Sequence, residues 1–369
     1  VDFAFTPEQE LLRETVRDLL SEIAPLTYVR TMLDDAAGIG ESEWRRIADL
    51  GWLGLVFPEE HGGSGLSLVE LAIVLEEMGR ALFPGPFLST IVGGLVLVAG
   101  GSDVQRRRWL PGICDGSVRA TLALAEASGS WDPAAMTARA EPRADGLALS
   151  GTKLFVADAH LADVLLCALR RPDGALILVA VERGTPGMSL APLASMDQTR
   201  KIFAVTFDGV AVREEQILPC DATAVLERVL DQARVALAAE MSGGAGRVLE
   251  MTVEYAKIRH QFGRPIGSFQ AIQHRCADML VEVEKARMAA TYAAWATAAD
   301  AADAALAAAD AMALAGDAYR TVTTQAIQVH GGIGFTWEHD LHLYFKRAQS
   351  SAVTFGDASW CRELAARRR

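Results

Sequence analysis

Apolar positions in the first 115 residues recur at helical spacing. Leu11, Leu12, Val16, Leu19, Leu20 and Ile23 follow a 3.6-residue repeat. The repeat opens with Thr6-Pro7-Glu8-Gln9, which supplies a cap, a proline at the first helical position and acid in the first turn. Pro58-Glu59-Glu60-His61-Gly62-Gly63-Ser64-Gly65 gathers helix breakers and predicts a loop; Leu68 to Leu82 predicts a further helix. Near residue 117 the texture changes. Short apolar runs at 121–124, 146–150, 164–168, 175–181 and 204–207 are separated by Gly, Pro and Asp at strand-and-turn spacing. They predict a β-barrel or sandwich over about 117–219. From Ala222 onward helical spacing returns, in four long segments of about 222–259, 268–299, 301–330 and 340–366. The third is alanine-rich, which favours helix, and Met312, Leu314 and Tyr319 mark it as a packed member. Long antiparallel helices joined by short loops make a four-helix bundle. The chain is therefore expected to be α+β: an N-terminal helical domain (1–116), a middle β domain (117–221) and a C-terminal four-helix bundle (222–369).

Composition narrows the function classes. The 369 residues suffice for a large core, and 51% hydrophobic with 22% charged residues is ordinary for a globular protein. A formal net charge of −12 argues against a nucleic-acid surface, which needs clustered Lys and Arg. The five cysteines (114, 167, 220, 276, 361) are widely spaced and read as reduced thiols. No apolar run reaches the eighteen or so residues that span a bilayer, and the first residues carry no basic, then apolar, leader. The expected address is the cytoplasm, with no membrane partner.

Two motifs in the last third carry candidate chemistry. One is Arg259-His260-Gln261-Phe262-Gly263-Arg264-Pro265-Ile266-Gly267-Ser268-Phe269-Gln270; the other is Gln328-Val329-His330-Gly331-Gly332-Ile333-Gly334-Phe335. An arginine offers planar, bidentate recognition of a pyrophosphate, and glycines let a backbone approach a ligand closely. Taken singly, Arg259 is a solvated helix-end cation and Gln328 a polar residue before a glycine turn. Together, in this order and spacing, they resemble the C-terminal domain of the acyl-CoA dehydrogenases, which bind FAD and oxidise the α,β carbons of acyl thioesters. The resemblance covers essentially the whole chain, the loop at 58–65 included. It implies that Arg259 reaches the FAD pyrophosphate of a neighbouring subunit, that Phe262 and Gln270 lie near the same cofactor end, and that Gln328, Gly331 and Gly332 lie against the adenosine side.

The family's own-flavin contacts are altered. A Thr-Glu-Pro-Gly-Ala-Gly-Ser-Asp loop and a Trp-Ile-Thr strand are matched here by Ala125-Glu126-Ala127-Ser128-Gly129-Ser130-Trp131-Asp132 and Phe155-Val156-Ala157. Alanine stands at both threonine positions, each lost hydroxyl removing roughly 0.5–1.5 kcal/mol. Phe155 keeps a π-face. Trp131 falls where a serine touches the thioester ligand; a one-residue slip matches Ser130 instead. The local flavin site is expected to be weak or empty.

The base is missing as well. Abstraction of an α-proton needs a positioned carboxylate. The family places a glutamate before a glycine, where this chain has Phe355-Gly356, or just before an arginine matched by Arg234, where it has Ala233. Glu240 is a weak candidate, about 10 Å along the helix from Ala233, and is expected to be a buried structural carboxylate paired with an Arg or His. Asp357, which follows the glycine of that motif, and Asp231, expected to open the helix, are poorer. His330 is expected to pack and hydrogen-bond. Glu338, His339, Asp340 and His342 have the look of a metal cluster but are read as caps and interface groups, with no metal.

The subset of the family that fits best is the heteromeric actinobacterial type of steroid side-chain degradation, in which two dehydrogenase-like chains form an α₂β₂ tetramer. The resemblance then implies FAD-linked acyl-CoA dehydrogenation in fatty-acid or steroid side-chain β-oxidation, with a second dehydrogenase-like chain as partner and electron-transfer flavoprotein as acceptor. This chain would supply FAD-tail contacts in trans and lack the base. The alternatives are a homotetrameric dehydrogenase using Glu240 and a non-enzymatic scaffold.

Overall fold

A computed structural model describes residues 5–369. Six helices come first: α1 (Pro7–Ile23), α2 (Leu26–Asp34), α3 (Glu41–Asp49), α4 (Leu68–Ala81), α5 (Phe87–Gly100) and α6 (Asp103–Cys114). Seven strands follow: β1 (Ala120–Ala123), β2 (Arg139–Arg143), β3 (Gly146–Ala157), β4 (Val164–Arg170), β5 (Leu176–Glu182), β6 (Met188–Pro192) and β7 (Ile202–Val212). The rest is α7 (Ala222–Ile258), a small hairpin of β8 (His260–Gln261) and β9 (Arg264–Pro265), α8 (Gln270–Ala298), α9 (Ala304–His330), α10 (Leu341–Ser351) and α11 (Ala358–Arg368). This is the helix, sheet, helix order that the apolar pattern predicts. The first helix starts as its sequence requires: Gln9 N–H donates to Thr6 Oγ1 and Thr6 N–H to the Gln9 side chain, a reciprocal capping box.

Contacts group the chain into two compact units. Among the described residues, one holds those from 5 to 33, Leu68–Phe83 and Asp231–Arg369; the other holds Asp34–Ser67 and Pro84–Leu230.

In the second unit the strands form one sheet in the order β1-β4-β2-β3-β7-β6, with β5 on β4. Its buried face takes alternate residues: Leu147 and Leu149, then Leu165, Cys167 and Leu169, then Val179 and Val181, as a period-two pleat dictates. Along β7 the buried set runs Val205, Phe207, then Val210, Val212. The phase slips at Gly209, whose φ of +62° makes a bulge where Leu149 pairs Val210 and Ser150 pairs Asp208. A second bulge lies between Lys153 and Val156, where Leu154 and Phe155 of β3 face the single residue Ala204 of β7.

In the first unit α4 and α7 approach to backbone contact. A Cβ on Gly79 would lie 1.9 Å from the Glu240 carbonyl oxygen, and one on Gly243 would lie 1.8 Å from that of Glu76. Glycine is therefore required on both helices at this crossing. On the same α4 surface, Glu76 bonds Arg13 and Arg287, and Glu77 bonds Arg17.

One element departs from the pattern. The fourth helical segment, expected over about 340–366, is two helices, α10 and α11. Phe355 and Gly356 between them have φ of +61° and +112°, which no α-helix accommodates.

Candidate functional site

The first motif begins where α7 stops. Arg259 N–H still donates to Tyr255 O (2.9 Å), and Arg259 O accepts from Ile266 N–H (2.8 Å), so Arg259 sits at the root of the β8–β9 hairpin. The turn is Phe262-Gly263, with φ of +53° and +79°. Two positive φ values are the signature of the tightest hairpin turns, and asparagine or glycine normally supplies them. Phenylalanine there costs of the order of 1–3 kcal/mol. Its ring is nevertheless 91% exposed, meeting only the edge of Phe269 at 6.0 Å among described aromatic rings. Arg259 and Gln270, the first residue of α8, are exposed too. Among the described residues the Arg259 guanidinium has no hydrogen bond or ion pair.

The second motif lies on the last turn of α9. Gln328 is exposed, and the helix ends at Gly331 with φ of +64°. A Cβ at Gly331 or Gly332 would meet nothing within 4 Å, so that face of the loop is open. His330 ties the second motif to the end of α7, at Tyr255, four residues before the first motif begins. Its ring stacks on Tyr255 at 4.3 Å and 21°, and Nδ1 lies 2.8 Å from Ala326 O. This is the packing and hydrogen-bonding role expected of it.

The base region is different. Phe355 is 8% exposed, and its carbonyl accepts from Arg234 Nε at 3.0 Å. Arg234 is fully buried, donates to Asp231 at 2.7 Å and lies over the Trp360 ring at 4.9 Å. Burial pulls the Arg234 guanidinium below its ordinary range, and Asp231 opposes that pull. Ala233 is buried and offers no functional group. Glu240 is buried with its carboxylate on Arg347 Nη1 at 2.6 Å. Asp231 does not open the helix as expected: α7 begins at Ala222, and Asp231 lies in its third turn, shared by Arg234 and Arg368. The helix starts earlier because Asp221 caps it, accepting from Thr223 and Ala224 N–H. Asp357 caps α11, accepting from Trp360 N–H.

Of the four residues after the second motif, Glu338 is exposed and the other three are individually occupied. Asp340 pairs Arg30 at 2.6 Å. His339 Nδ1 accepts from Leu341 N–H at the start of α10. His342 sets its ring against Trp337 at 4.6 Å. Among the described residues no group of three or more His, Cys, Asp or Glu is placed to hold a metal.

The own-flavin positions lie in the second unit. Ala125 is buried and accepts through its carbonyl from Leu154 N–H. Ala157 is half-buried and accepts from Thr121 Oγ1 at 2.7 Å. Ser130 Oγ accepts from Asp132 N–H, and Trp131 is half-buried. Phe155 lies in the second β3 bulge with φ of +57° and is 44% exposed.

Between these positions is a buried ion pair that sequence reasoning missed. Lys153, wholly buried, donates to Glu126 at 2.6 Å and to Leu124 O at 3.1 Å. Glu126 also accepts from Thr137 and Ala138 N–H. Burial pushes the Glu126 carboxyl up, and these bonds more than reverse it, leaving it below the usual carboxylate range. Alternation along β3 was the available signal, since 147, 149 and 153 share one face.

Comparison with known proteins decides the family. Residues 6–117 match the acyl-CoA dehydrogenase N-terminal domain model, and residues 223–369 match that of the acyl-CoA dehydrogenase C-terminal domain. The chain belongs to the acyl-CoA dehydrogenase family. It is 38% identical to the acyl-CoA dehydrogenase IpdE2 of Mycobacterium tuberculosis, over 94% of this chain and 92% of that protein. Among solved structures it resembles the Tcur3481-Tcur3483 steroid ACAD (35% identity, TM-score 0.89, covering 98% of this chain and 97% of that one). It also resembles the ChsE4-ChsE5 complex of M. tuberculosis (28% identity, TM-score 0.92, covering 100% and 98%).

The cofactor of acyl-CoA dehydrogenases is FAD, and this chain's residues fit its two ends unequally. On the two tail motifs an unengaged arginine, an aromatic ring held out at positive φ and two open glycines fit an anionic, planar ligand. At the flavin end, positions 125 and 157 present no hydroxyl. No helix among the described residues is long and apolar enough to cross a membrane.

Proposed function

We propose that this chain is the base-lacking subunit of a heterotetrameric acyl-CoA dehydrogenase. In this reading Arg259, Phe262, Gln270, Gln328, Gly331 and Gly332 hold the FAD tail of a neighbouring, complete chain. The observation that carries the reading is a contrast: both family base positions are Phe355 and Ala233, and Glu240 is engaged by Arg347, while Arg259, Phe262, Gln270 and Gln328 are exposed and the Arg259 guanidinium is unengaged. FAD supplies the electron sink for α,β-dehydrogenation; the present residues bind and orient its tail. The likeness to a two-chain complex, ChsE4-ChsE5, and to a steroid ACAD supports a mixed assembly. The same likeness supports a steroid side-chain acyl-CoA as substrate; a fatty acyl-CoA substrate and electron-transfer flavoprotein as acceptor rest on the family resemblance. The working boundaries remain near 116 and 221, the setting is cytoplasmic, and limited proteolysis tests the boundaries.

The test is turnover of acyl-CoA with an artificial electron acceptor. The chain alone is expected to fall short of the mixed assembly by about 10²–10⁴, the typical cost of a lost general base. The rival is a homotetramer with Glu240 as base. If the chain alone turns over and Glu240→Gln abolishes that activity with FAD still bound, the rival stands. A scaffold that binds neither ligand would show no flavin in any assembly.

A further inference from the structure

His330 occupies the junction of the two tail motifs without itself reaching the open face. It is 4% exposed. One ring face lies on Tyr255, in the last turn of α7 and four residues before Arg259. His339 approaches it edge-on at 4.7 Å. Tyr255 Oη also donates to the His330 carbonyl at 3.4 Å, immediately before Gly331. The chain past α9 and the end of α7 are thus tied at one residue.

The ring's protonation follows from its partner. A carbonyl only accepts, so Nδ1 carries the proton donated to Ala326 O. Nε2 is buried and has no hydrogen-bond partner. As a bare lone pair it is tolerable. As a second N–H it would be a buried donor with no acceptor, attached to a cation. The groups facing it offer no compensation: Tyr255 from α7 and His339 from the loop before α10, whose neighbour Asp340 is already paired with Arg30.

We propose that His330 is the positioning residue of the FAD-tail clamp: its neutral ring, stacked on Tyr255, sets the spacing between Arg259 and the Gly331-Gly332 turn. The inference rests on the reading of Arg259 and Gly331-Gly332 as a tail clamp. It adds a pH dependence of known sign. Burial lowers the His330 pKa, the Ala326 carbonyl opposes that shift, and His339 adds to it. A free imidazole titrates near about 6.5, so the ordered clamp is fully formed above that pH and weakens as pH falls through it towards the lowered value.

The experiment measures FAD dissociation from the purified flavin-containing assembly between mildly alkaline and mildly acidic pH. Wild type is expected to lose FAD on acidification. His330→Ala should weaken retention at every pH, by roughly two- to tenfold for one ring contact. His330→Phe keeps the stack without a titrating nitrogen, so it should retain FAD near the wild-type level at high pH and flatten the profile. An acid loss in His330→Phe equal to wild type would overturn the proposal, as would wild-type retention in His330→Ala. Arg259→Ala serves as the separate control. If it too leaves FAD bound, the clamp reading fails; if it releases FAD while both His330 variants behave as wild type, only this inference fails.

Discussion

The tail-motif region and the base region of this chain are built on opposite principles. Around Arg259 and Gln328 the functional side chains are exposed, and one, Phe262, is held in a costly backbone conformation with its ring in the open. Around Phe355 and Glu240 the buried ions are paired: Arg234 with Asp231, Arg347 with Glu240, Asp231 again with Arg368. Side chains that a folded chain leaves unengaged at strained positions answer to something outside it. Side chains locked into buried pairs answer to the fold. On the proposed reading the tail residues are kept for a ligand and the base positions are given over to structure.

The sharpest way to break this contrast is at the buried pair. Arg347→Met strands the Glu240 carboxylate among buried neighbours, and losing one partner of such a pair costs about 3–5 kcal/mol. A large fall in the thermal or denaturant midpoint is expected, with no specific change in flavin affinity. A variant as stable as wild type would mean that Glu240 is free to do chemistry.

Arg259→Ala should behave the opposite way. Stability should be unchanged, while FAD retention in the assembly weakens by roughly 1.5–3 kcal/mol, the worth of charge-assisted hydrogen bonds. Unchanged flavin occupancy would return Arg259 to the solvated surface.

Phe262→Asn gives the smallest effect and the most diagnostic sign. Asparagine tolerates positive φ, so chain stability should rise by about 1 kcal/mol while FAD retention falls. If both move in the same direction, Phe262 is not strained for a ligand's sake.

The element order was legible because apolar spacing switches from 3.6 to 2 and back at places where the chain itself switches. Thr6 and Gln9 announced their capping box because the whole device is local. The break in the last helix was hidden: Phe355-Gly356 contains one glycine, and the turn shows in the positive φ of both residues and in the Arg234 bond to the Phe355 carbonyl, 121 residues away in sequence. Lys153 was missed for a related reason. A lysine in a strand reads as outward by composition, yet the register of β3 turns it inward to Glu126. The bulge at Phe155 was equally hidden, since nothing local in Leu154-Phe155-Val156 marks a left-handed residue. The tail motifs stood out because two separated segments follow the family's order and spacing; the structure ties the second to the helix that leads into the first, through Tyr255 and His330.

The central claim is that this chain completes another chain's flavin site and has no complete one of its own. The most direct test is flavin stoichiometry by visible absorbance, on the chain purified alone and co-expressed with a complete acyl-CoA dehydrogenase. The account predicts little or no flavin on the chain alone, and in the mixed tetramer one FAD for about every two subunits. One FAD per subunit in a tetramer of this chain alone would contradict it.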